Sequence, residues 1–128
     1  MKNLFIKYSV MGVMCLVLLN NCTKSKKFDS NQWKYSHERL GHFFPHREAM
    51  LQDLIKREYL KHQHKNEIIK ILGKPDFQSD DSENKLMYQI SVEWGNNLAP
   101  EPVYSKKLII LLDNNLIFKD YKIEEWED

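Results

Sequence analysis

The stretch KLIILLDNNLIF, residues 107–118, constrains the fold more than any other part of the chain. Leu108 to Leu112 are apolar without a break. A strand built from them carries apolar side chains on both faces, so it belongs in the middle of a sheet with helices covering one side. Asn114 and Asn115 tolerate left-handed backbone, which predicts a hairpin with a two-residue type I′ loop. With that loop Leu112 pairs with Ile117, Leu111 with Phe118 and Leu108 with Tyr121. Ile109, Leu111 and Phe118 then point away from the face that carries Leu108, Ile110, Leu112 and Ile117.

Upstream, LMYQISVEW alternates, with Leu86, Tyr88, Ile90, Val92 and Trp94 on one side of a strand and Met87, Gln89, Ser91 and Glu93 on the other. Between the two strands, GNNLAPEPVYS holds two prolines and is expected as a long loop. Two helices precede the sheet. Residues 47–60, REAMLQDLIKREYL, place Met50, Leu51, Leu54, Ile55 and Tyr59 on one stripe, with an Asp53/Arg57 pair on the charged side. The second, KNEIIKILGKPD, puts Ile68, Ile69, Ile71 and Leu72 on one side. It stops at Gly73, where a residue with φ > 0 is wanted, and Pro75 forbids continuation. The expected fold is α+β, with a two-helix hairpin packed on a three-stranded antiparallel meander.

The N-terminus has a different character. MKNLFIKYSVMGVMCLVLLNNC has two lysines, an uncharged apolar stretch from Tyr8 to Leu19, and a polar break, as in a secretory signal peptide. That stretch is too short to span, since crossing about 30 Å of hydrocarbon at about 1.5 Å per residue takes roughly 20 apolar residues. LNNC resembles the lipobox of bacterial lipoproteins, with Leu19 three places before the cysteine. The resemblance implies that the Cys22 thiolate accepts a diacylglyceryl group and that cleavage falls between Asn21 and Cys22. Thr23 after that cysteine resembles the outer-membrane sorting preference of some Gram-negative bacteria. The expected organisation is a signal peptide over 1–21, a lipidated N-terminus and tether over 22–46, and a globular domain over 47–128.

Cys15 would leave with the signal peptide, so the mature chain has no thiol left to pair or to catalyse. Taking Lys2 and Lys7 from 19 basic residues leaves 17 against 18 acidic ones, a formal charge of −1. Such a balance carries no nucleic-acid footprint. The basic KSKK beside Cys22 suits a tether near acidic head groups. In FDSNQWK, Phe28 and Trp33 are large enough to dock onto the domain.

The order REAMLQDLIKREYL, NEIIKILGKPD, YQIS, LIILLDNNLIF, preceded by FD and a tryptophan, resembles the small lipoproteins of the SmpA/OmlA or BamE-like class. Their fold recurs in a β-lactamase-inhibitor protein. Two positions depart from the pattern: His62 stands where a glycine usually ends the first helix, and His64 where Ser or Thr caps the second. The resemblance implies binding to other envelope proteins and no catalytic residues.

The remaining candidates point the same way. His62 and His64, with His37, His42 and His46, look metal-like, but no set of three or four converging ligands is discernible, and turn histidines filling cap positions account for the pair. Asp76, Asp80, Asp81 and Glu83 lack the spacing of a calcium loop. No cofactor or metal is expected, and no enzyme activity. Ile109, Leu111 and Phe118 form the candidate partner-binding surface, unless Phe28 and Trp33 fold back over it. The expected function is that of a lipid-anchored envelope protein acting as an interaction or assembly module, facing the periplasm from the outer membrane. The alternative is a periplasmic inhibitor or immunity-type protein presenting its proline-containing loop to an enzyme.

Overall fold

The computed structural model describes residues 25–35, 45–78, 83–96, 98 and 101–128. Among these residues three helices, α1 (Ser30–Tyr35), α2 (Pro45–Lys56) and α3 (Lys65–Leu72), precede three strands, β1 (Lys85–Trp94), β2 (Pro102–Leu112) and β3 (Phe118–Glu127). The strands form one antiparallel sheet in the order β1-β2-β3, so the apolar strand is central, as its two-sided hydrophobicity requires. The architecture is a three-stranded antiparallel sheet with helices. The expected signal peptide, with Asn21 and Cys22, lies outside the described residues, as do His37, His42, Asp80 and Asp81.

The core sits between the helices and one face of the sheet. Met50, Leu51 and Leu54 of α2, Ile68 and Leu72 of α3, Leu86, Tyr88 and Ile90 of β1, and Leu108, Ile110 and Leu112 of β2 are all buried there. The apolar stripes expected of both helices therefore face inward. Trp33 is completely buried among them, and α1 packs against both α2 and α3. Phe28 stacks at a tilt on Trp33 at 5.8 Å and on Tyr59 at 5.2 Å. Both aromatics thus dock on the helix side, and neither covers the outer face of the sheet.

Helix ends follow local chemistry. Pro45 is the first residue of α2, a position where its missing N–H and fixed φ cost nothing, so the helix starts at the proline and not after it. It ends at Lys56, four residues short of the expected Leu60. Glu58 at φ 54° and His62 at φ 64° bend residues 57–62 into a turn, and Leu60 is still buried. His62 thus occupies the left-handed place suited to glycine. His64 caps α3, its Nδ1 accepting from the Asn66 N–H at 3.3 Å. At the other end Gly73 has φ 82°, and its N–H donates to the Ile69 carbonyl.

Register departs from expectation in both ladders. In β1 a bulge falls between Gln89, which faces Lys107, and Ser91, which faces Lys106. The extra residue, Ile90, stays in the core, and beyond it the faces exchange: Val92 lies opposite Ser105 on the outer face, and Trp94 is exposed. In the hairpin Leu112 pairs with Phe118, Leu111 with Asp120, Ile110 with Tyr121 and Leu108 with Ile123. The loop is longer than two residues. The Asp113 carbonyl accepts from Leu116 N–H, its carboxylate from Asn115 and Ile117 N–H, and Leu116, not an asparagine, takes the left-handed conformation at φ 61°. The Asp113 carboxylate favours this wider turn by satisfying two backbone donors.

The hairpin tip is tied to the helices. The Leu116 carbonyl accepts from Lys65 N–H at 2.8 Å, and Phe118 N–H donates to the Gln63 carbonyl at 2.9 Å. The expected long loop before β2 is shorter than foreseen, because Pro102 already begins the strand, where a missing N–H is tolerated.

Candidate functional site

A buried polar network closes the β1 side of the molecule. Arg47, 1 % exposed, donates from Nε to the Trp33 carbonyl at 3.2 Å and from one terminal nitrogen to Asp76 Oδ2 at 2.6 Å and the Gln89 carbonyl at 2.9 Å. Its guanidinium also lies 5.3 Å from the Trp33 ring centre. Asp76 Oδ2 accepts in turn from the Gln89 N–H at 2.8 Å. Four separate segments meet at this pair. Next to it, the 76–77 segment runs along β1, with Asp76 and Phe77 N–H groups on the Met87 carbonyl. Burial, with the Asp76 carboxylate adding to it, holds the Tyr88 phenol well above its ordinary pKa, so it stays neutral and donates to the Gly73 carbonyl.

A second cluster anchors the N-terminal segment to α2. Phe28 N–H donates to Asp53 Oδ2 at 2.8 Å, and Arg57 donates to Asp53 Oδ1 at 2.8 Å. The Phe28 hydrogen bond, aided by Arg57, holds the Asp53 carboxyl below its usual range. Asp29 caps α1 by accepting from Gln32 N–H, while its own N–H meets Met50 Sδ. The residues quoted for the resemblance, Phe28, Asp29, Trp33, Arg47, Met50, Asp53, Gly73 and Asp76, thus touch one another or cap neighbouring elements. They are residues of architecture.

The β3 side is built differently. Among the described residues the main helix-to-sheet packing is α2 on β1, and β3 has a strand neighbour on one side only. Between the end of α2 and the inner face of β3 lies a groove of about 350 Å³. Leu54, Ile55, Leu60, Leu108, Phe118 and Tyr121 line it, and Glu58, Lys61, His62, Lys119 and Asp120 form its rim. The left-handed residues Glu58 and His62 belong to that rim. Further along the same face, Lys106 bridges Glu48 of α2 at 2.8 Å and Glu125 of β3 at 3.2 Å. Burial lowers the Lys106 pKa, but the hydrogen bonds to Glu48 and Glu125 outweigh it and hold the ammonium above its ordinary value.

The three residues expected to share a partner face are not brought together. Phe118 lies on the inner face, packed against the core and facing the groove, because the longer turn shifts it onto Leu112. Ile109 and Leu111 remain on the outer face. Ile109 is only 4 % exposed, flanked across the ladder by Met87 and Lys122, and Leu111 is half-buried between Lys85 and Asp120. Long lysine stems such as those of Lys85 and Lys122 beside these residues can cover apolar surface of this kind. Tyr121, which lines the groove, and Ile123, which packs against the core on the same strand face, are the residues missed from sequence. The alternation of tyrosine and isoleucine with charges in YKIEE carries the signal.

Among the described residues no three His, Cys, Asp or Glu side chains converge on a point, and no helix is long and apolar enough to cross a membrane. No family model, curated protein or solved structure matches this chain.

Proposed function

We propose that this protein is a lipid-anchored envelope protein that acts as an interaction module, held at the periplasmic side of the outer membrane through Cys22. In this reading residues 1–21 are a signal peptide, and the tether ends where Phe28 and Trp33 dock. The helices α2 and α3 act as a hairpin over the sheet, in the manner of the BamE-like class. The observation that supports binding is the apolar groove beside β3, with Phe118 and Tyr121 on one wall and Leu54, Ile55 and Leu60 on the other. An uncovered apolar concavity with a charged rim is a common form of partner site.

The test is in two parts. Intact-mass analysis of the membrane fraction should give a chain starting at Cys22 with acyl mass added, and Cys22→Ser should leave the precursor uncleaved. Capture from solubilised envelopes should then recover a defined envelope protein with the wild type and lose it with Tyr121→Arg, which places a charge in the groove. An unmodified N-terminus elsewhere sinks the anchor, and equal capture by Tyr121→Arg sinks the groove. Recovery of a single hydrolase or toxin would favour the inhibitor reading instead.

A further inference from the structure

The free edge of β3 has an order of charges that suits one partner strand in particular: its own copy. We infer that the protein forms a symmetric dimer in which two β3 strands pair antiparallel about Ile123, joining two three-stranded sheets into one of six strands. The inference does not depend on the lipid anchor or on the identity of any envelope partner.

Among the described residues the strand has β2 on one side and no strand on the other, so one edge of its backbone groups is unpaired within the sheet. Every residue from Lys119 to Glu127 except Ile123 is exposed, with Trp126 48 % exposed. Many edge strands carry charge to repel such pairing. Here, apart from Asp120, the signs are sorted along the strand, with Lys119 and Lys122 in its first half and Glu124, Glu125 and Glu127 in its second. A two-fold axis through Ile123 sets Lys119 opposite Glu127 and Lys122 opposite Glu124, each twice, with Ile123 against itself and no like charges directly opposed. Opposite charges facing each other across a ladder stabilise it, and like charges do the reverse.

Other antiparallel registers are worse. Faces are kept only when the register moves so that the paired residue numbers sum to an even value, because successive side chains alternate sides. One such move sets Lys122 on Lys122 and Asp120 on Glu124. The opposite move sets Glu124 on Glu124. Parallel pairing in register stacks every charge on its like. The self-complementary register also needs space on the helix side, and the main helix packing is on β1, which leaves the β3 edge open. Self-complementarity about an axis is what an isologous dimer requires.

The experiment uses the full chain in detergent, with protein mass read by sedimentation equilibrium over a concentration series. Wild type should pass from monomer to dimer. Lys122→Glu sets Glu against Glu124 twice, and Glu124→Lys sets Lys against Lys122 twice, so each alone should weaken self-association by about tenfold or more. Mixing the two variants restores both opposite-charge contacts, and the mixture should dimerise although neither component does. Glu124 also faces Lys107 within its own chain, so circular dichroism is recorded on each variant. The rescue by mixing cannot come from a misfolded chain. A wild type that stays monomeric up to about 0.5 mM overturns the proposal, as does self-association unchanged in both single variants, or a mixture that remains monomeric. The apolar N-terminus is the same in all variants, so association through it alone would show as that unchanged outcome.

Discussion

The β1 and β3 sides of the sheet are made by different means. On the β1 side α2 packs directly on the strand, the 76–77 segment lies along its edge, and a buried arginine and aspartate tie Trp33, Gln89 and the chain after α3 together. On the β3 side the strand's inner residues Phe118, Tyr121 and Ile123 are only partly covered, and its edge has no neighbouring strand among the described residues. One side buries its apolar surface in folding, and the other leaves some of it exposed. Substitutions on the two sides should therefore separate stability from binding.

The largest effect is expected at the buried pair. Arg47→Met or Asp76→Leu leaves the other charge buried without its partner, which costs about 3–5 kcal/mol. For a domain whose whole stability is about 5–15 kcal/mol, either single variant should unfold at much lower urea. Replacing both residues together should cost less than either single change, because no lone charge is then buried. A double variant as unstable as the singles would show that the backbone contacts at Trp33 and Gln89 matter more than the charges.

Two core substitutions come next. Trp33→Ala should cost about 3–5 kcal/mol by urea denaturation, as expected for a fully buried aromatic. Ile109→Lys should also destabilise strongly, because the residue is buried on the outer face between Met87 and Lys122. If it folds with an unchanged midpoint, that face is free surface after all.

A smaller effect concerns pH. Because the folded Asp53 carboxyl titrates below its unfolded value, the unfolded chain binds more protons in the window between the two, and stability rises with pH there. The contribution is fully present above the unfolded pKa of about 4 and is lost as pH falls through the folded one. Acidification from about pH 5 to pH 2 should thus loosen the Phe28 segment, seen as faster amide exchange at Phe28. In Asp53→Asn that dependence at Phe28 should flatten.

The smallest effect on stability belongs to the groove. Tyr121 is 37 % exposed, and Tyr121→Ser should move the urea midpoint by less than about 0.5 kcal/mol equivalent while reducing partner capture. A large loss of stability instead would mean that the groove wall supports the fold and that the two sides are less distinct than they look.

Much of this was legible because it depends on near neighbours in the chain. The Gly73 stop, the His64 cap, the Asp53/Arg57 pair and the inward stripes of both helices follow from spacings of a turn or less. The apolar run over residues 108–112 likewise required a central strand, whatever surrounded it. The grouping of Phe118 with Ile109 and Leu111 on one face failed for an equally local reason. Asn114 and Asn115 look like a two-residue turn, but the Asp113 carboxylate and the docking of Leu116 on Lys65 select a wider one. Register is shifted in consequence, and with it the face on which Phe118 lies.

By itself the chain determined that three strands and the helices α2 and α3 would form and which side of each helix would be apolar, because periodicity and caps act over one or two turns. Tertiary structure alone decided that Arg47 would meet Asp76, that Trp33 would enter the core on the helix side, and that a bulge at Ile90 would turn Val92 outward. It also decided that β3 would stand half uncovered. Those outcomes depend on contacts between residues far apart in the chain, whose free energy exists only once several elements have closed on one another, and no local pattern encodes which of them will meet.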